Sequence, residues 1–66
     1  MPSSVIRDYR YNPESRDLLV VFQTGRRYVY KGVPARTHEA LKAAFSKGYF
    51  FNRHIRDHFR YERLED

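Results

Sequence analysis

A chain of 66 residues buries only about 60% of the surface its unfolded form exposes, so one small core has to hold the whole fold together. The absence of cysteine excludes a disulfide framework and a thiolate zinc site, which leaves five Phe and six Tyr residues as the means of enlarging that core. Thirteen Lys and Arg against eight Asp and Glu give a formal net charge of +5, and polyanions become the partner class that composition favours.

No apolar run approaches the length that spans a bilayer, and Met1-Pro2-Ser3-Ser4 lacks the charged and apolar regions of a signal peptide, so no membrane and a cytoplasmic location are expected. In chain order, Val5 to Tyr11 alternates imperfectly, with Val5, Arg7, Tyr9 and Tyr11 on one parity and Ile6, Asp8 and Arg10 on the other. This is the pattern of a half-buried strand. Asn12-Pro13-Glu14-Ser15 reads as a turn. Asp17 to Phe22 carries the run Leu18-Leu19-Val20-Val21-Phe22, a strand that is apolar on both parities and therefore wants cover on both faces.

Gln23-Thr24-Gly25-Arg26 turns the chain into a third strand, Arg27 to Lys31. A loop with an odd number of residues, pairing Phe22 with Tyr28, puts Leu18, Val20, Phe22, Tyr28 and Tyr30 on one face and Leu19, Val21 and Val29 on the other. An even loop moves both tyrosines across. Val33-Pro34 opens a helix over Ala35 to Ser46, with Thr37, Leu41, Ala44 and Phe45 as its inward stripe, Lys47 in the last turn and Gly48 as its cap. A second helix is expected after Gly48, running through Arg60. It places Phe51, Ile55 and His58 on one side and Tyr49, Arg53, Arg56 and Arg60 on the other. Phe59 to Leu64 alternates with period two, as a final strand or extended tail does.

The stripe Tyr49, Arg53, Arg56, Arg60 is the leading candidate site, because guanidinium groups suit phosphate oxygens and an aromatic ring offers a stacking face. Tyr28 and Tyr30 are a second candidate for base stacking, against the structural alternative of two rings packed beneath a helix. His54 and His58 stand four apart, but two ligands do not make a metal site, and none is assigned. Asn52 is expected to hydrogen-bond backbone. No nucleophile motif, phosphate-cradling glycine loop or metal-ligand cluster is present, so the reading is of a protein that is not an enzyme and needs no cofactor.

The order Ser3-Ser4, Leu18-x-Val20-x-Phe22, Tyr28-x-Tyr30, Val33-Pro34, Ala40-Leu41, Ser46-x-Gly48, Phe51-Asn52-x-x-Ile55 and Tyr61-Glu62-Arg63-Leu64 resembles the KTSC domain, a module of about this length also found at the C-terminal end of some lysyl-tRNA synthetases. The resemblance implies RNA as the partner and favours the odd register, with Tyr28 and Tyr30 beneath the helices. Where the family is commonly polar, this chain has Leu19 and Val21, which with Val29 form an extra apolar patch.

The expected architecture is one α+β domain over residues 1–66, a three- or four-stranded antiparallel sheet followed by two helices packed on one face. The expected function is a small RNA-binding module, and the patch of Leu19, Val21 and Val29 predicts a homodimer. The competing reading is a protein-interaction or homo-oligomerisation module, including an accessory protein of a phage or mobile element.

Overall fold

A computed structural model describes residues 6–64; Met1 to Val5, used above for the resemblance, the first strand and the missing signal peptide, lie outside them. The chain runs β1 (Ile6–Asn12), β2 (Asp17–Phe22), β3 (Arg27–Tyr30), α1 (Ala35–Ala43), α2 (Lys47–His54) and β4 (Tyr61–Leu64). The strands form one antiparallel sheet in the order β1-β2-β3-β4, so the chain leaves the sheet for both helices and then returns to its edge. The expected α+β class is present, and the alternating stretch at the end is its fourth strand.

Both hairpins are closed by the residues that read as turns. The Asn12 side chain accepts hydrogen bonds from the amides of Glu14 at 2.9 Å and Ser15 at 3.4 Å, and the Asn12 carbonyl accepts from Arg16 at 2.7 Å. Arg16 takes a left-handed φ of 60°, a conformation that costs an L-residue about 1–2 kcal/mol. Its carbonyl is held there by the Val33 amide at 2.9 Å. In the second hairpin Gly25 supplies the positive φ, 93°, and the Phe22 amide donates to the Arg26 carbonyl at 2.9 Å.

The loop is therefore odd and only Gln23-Thr24-Gly25 long, so Val20 rather than Phe22 stands opposite Tyr28. The division of faces is the one the odd register gives. Leu18, Val20, Phe22, Tyr28 and Tyr30 share the helix side, and Leu19, Val21 and Val29 share the other. In β1 the alternation is interrupted by a bulge between Ile6 and Asp8, which brings Ile6 rather than Arg7 to the side of Tyr9 and Tyr11. One extra residue corrects a strand whose simple alternation would have turned a charged side chain inward.

The core consists of Leu18, Val20 and Tyr30 from the sheet, Val33 from the connection, Leu41 from α1, and Phe51 and Ile55 from α2 and its cap. His38 of α1 stacks on Tyr11 at 4.4 Å, and Phe51 meets Phe22 and Tyr30 edge-on at 5.5 and 5.2 Å. The Tyr11 hydroxyl donates to the Val33 carbonyl at 2.6 Å and ties β1 to the chain entering α1. Pro34, expected in the first turn, is the residue that caps α1.

Both helices are shorter than their periodicity suggests. α1 stops at Ala43, because Ser46 caps α2 by accepting from the Tyr49 amide at 3.2 Å. Gly48 is thus not the cap of α1 but a buried residue in the first turn of α2. Lys47 keeps its expected role from the neighbouring helix, donating through Nζ to the carbonyls of Lys42 and Ala44, each at 3.2 Å. Phe45, expected in the inward stripe, falls in the turn between the helices and is fully exposed.

Candidate functional site

α2 ends at His54, where Ile55 leaves helical geometry and its amide, together with that of Arg56, bonds the Phe51 carbonyl at 2.9 Å. This termination dissolves the expected four-residue stripe. Tyr49 and Arg53, four apart on α2, remain together, with the guanidinium 5.9 Å from the centre of the Tyr49 ring, which is 61% exposed. Arg56 lies in the turn after the helix and donates to Asn52 Oδ1 at 3.4 Å, so Asn52 serves a side chain rather than backbone. Arg60 precedes β4, and its carbonyl accepts from the Lys31 amide at 2.8 Å.

The two central tyrosines separate. Tyr30 is only 3% exposed and presents no face to a base, which makes it the packed ring of the structural alternative. Burial pushes its hydroxyl pKa up to about 12, helped by Tyr61, while the Arg56 guanidinium pulls the other way. Tyr28 is half-buried and meets Phe22 edge-on at 5.3 Å. Tyr61, delivered by β4 directly opposite Tyr30, lies 5.4 Å from both Tyr28 and Tyr30. It is 54% exposed, the open member of a three-ring cluster, with Arg63 opposite Tyr28 on the same side of the sheet. Beside it an open cleft of about 480 Å³ is lined by Lys31, Phe59, Arg60, Tyr61 and Glu62.

Tyr61, Leu64 and Phe45 are the exposed apolar residues that sequence reasoning did not mark as exposed. Alternation marks Phe59 to Leu64 as extended, but it does not name the strand that Tyr61 pairs with, and that pairing is what puts it beside Tyr28. For Phe45 the signal was Ser46, a residue type favoured as an N-cap, which ends the first helical stripe before it reaches the phenylalanine.

Arranged this way, the helix side of the sheet offers cations and partly open rings at its β3–β4 margin. The histidines are engaged separately, His54 beside the Phe50 ring at 4.6 Å and His58 Nε2 3.1 Å from the Arg53 carbonyl. Among the described residues no three His, Cys, Asp or Glu side chains come together as metal ligands would, and no helix is long and apolar enough to cross a membrane.

A four-stranded antiparallel sheet with two short helices on one face, built around a Tyr-x-Tyr strand, defines a class of small α+β modules. The KTSC domain model matches residues 2–59, and the chain belongs to that family. It is 36% identical to a KTSC domain protein of Yersinia pestis whose crystal structure superposes with a TM-score of 0.88, covering 98% of this chain and 92% of that one. It is 38% identical over 66 residues to an uncharacterised protein of Stutzerimonas stutzeri, 98% of this chain and 93% of the other. A lysine–tRNA ligase of Nostoc sp. is 41% identical over 61 residues, which are 92% of this chain but 11% of the ligase. The chain therefore spans about a tenth of the length of that ligase.

Proposed function

We propose that this domain is a non-enzymatic RNA-binding module that takes unpaired or structured RNA on the aromatic and basic margin formed by β3, β4 and the end of α2. The observation that carries the reading is the Tyr28–Tyr30–Tyr61 cluster, in which a packed tyrosine supports one that is 54% exposed, next to Arg56. A buried ring beside an open one holds the open ring in place, so little entropy is lost when a base stacks on it. Such stacking contributes about 1–3 kcal/mol per base and tolerates any base, because each has a π-face. Arg56, Arg60 and the Tyr49–Arg53 pair supply the phosphate contacts. The relationship to a segment of lysine–tRNA ligases, enzymes named for a tRNA substrate, supports RNA over other polyanions.

The test compares positions, since a net charge of +5 attracts any RNA at low salt. Fluorescence anisotropy with single-stranded and hairpin RNA, at two salt concentrations, reads the affinities. Tyr61→Ala is expected to weaken binding about tenfold, in keeping with one lost stacking contact. Arg56→Gln and Arg53→Gln should each lower affinity and reduce the salt slope by about one. Arg7→Gln, at the bulge on the opposite edge strand, should change little. Equal losses from all three arginines would reduce the interaction to bulk charge, and the absence of binding at low salt would end the RNA reading.

A further inference from the structure

The face of the sheet turned away from the helices carries side chains in two cross-strand rows. One row reads Arg10, Leu19, Val29, Glu62 from β1 to β4, and the next reads Asp8, Val21, Arg27, Leu64. Antiparallel sheets with one wet face alternate polar and apolar residues, whereas β2 is apolar on both sides from Leu18 to Phe22, after Asp17, which pairs with Lys31 at 3.7 Å. Leu19, Val21 and Val29 are half-buried by their neighbours alone, and Leu64 extends the apolar strip to the edge strand. Opposite charges stand at opposite ends of the first row, Arg10 on one edge strand and Glu62 on the other.

We infer that a second copy of this chain covers this face, related by a two-fold axis lying between the sheets and parallel to the strands. That rotation lays β1 of one copy over β4 of the other. It sets Arg10 against Glu62 of the second copy and Leu19 against Val29 of the second copy, and symmetry makes each contact twice. A two-fold interface must be complementary to itself, and the first row, ordered cation, apolar, apolar, anion, meets that condition; in the second row the same rotation sets Val21 against the aliphatic stem of Arg27 of the second copy and leaves Asp8 and Leu64 at the rim on the edge strands. Two twisted sheets pack face to face at about 10 Å with their strands nearly aligned, an arrangement this rotation produces. The result is a four-layer assembly with helices outside and sheets inside. This inference does not depend on RNA binding and is tested without nucleic acid.

Sedimentation equilibrium of the full chain over a concentration series reaching the high micromolar range is expected to show a dimer. Arg10→Glu and Glu62→Arg, each placing like charges together twice, should each weaken dimerisation by about tenfold or more. The double variant restores the opposite order and should recover the dimer. Both residues are exposed, so thermal melts of these variants by circular dichroism should match the parent when each is measured as a monomer. A parent that stays monomeric throughout, or a double variant no better than the single ones, would overturn the arrangement.

Discussion

Tyr30 sits where a hydroxyl is costly to ionise. Its ring is enclosed by Phe51, Tyr28 and Tyr61, and burial favours the neutral phenol over phenolate, raising the pKa from 10.0 to about 12. The unfolded chain therefore loses this proton first as pH climbs. The stabilisation is complete below pH 10 and disappears as pH rises through 12. Urea melts across this window should show falling stability, with a shallower fall in Tyr30→Phe, which has no proton to lose there. Equal slopes in parent and variant would place the alkaline loss in other groups. The family resemblance pointed to Tyr28 and Tyr30 together, but adjacent positions of one strand face fare differently. Phe51 covers Tyr30, whereas Tyr28 stands one pair further along β3, where Phe22 and Tyr61 flank it.

At the scale of elements, α2 does two jobs with two sets of residues. Phe51 and the capping Ile55 fill the core, while Tyr49 and Arg53 face solvent. Phe51→Ala and Ile55→Ala should each cost about 2–5 kcal/mol, comparable to the entire stability of so small a domain. Arg53→Ala and Phe45→Ala should stay within about 0.5 kcal/mol, as exposed substitutions do. Urea midpoints decide it, and a damaging Phe45→Ala would mean that this ring has a packed environment. The opposed faces of α2 over its first two turns, the β2 run and both turns were legible in the sequence, since each depends on neighbours within a few residues. The extent of α2 was not. Arg56 and Arg60 continue the helical period of Tyr49 and Arg53, but periodicity carries no stop signal, and Ile55 leaves the helix to fill the space beside Phe51. Nor could alternation reveal the bulge at Arg7, because a strand's own pattern does not say which positions its partner skips.

Across the whole molecule, the three-stranded meander and the two helices are local constructions, but the last strand is not. Tyr30 pairs with Tyr61 across both helices, so β4 adds only after the intervening segment has folded back. The cost of closing that segment is met by a four-residue strand whose side chains are all exposed. Contacts of this span form late, and strands with few buried side chains open first. Hydrogen exchange should therefore find the amides of β4 less protected than those of β2, and released together rather than one by one; protection equal to that of β2 would count against an independent opening unit. Tyr61 travels with that strand. Each opening would uncover Tyr30, separate the three rings and bare the edge of β3, so that the proposed RNA margin exists only while β4 is docked, and a ligand stacked on Tyr61 would slow the strand's release.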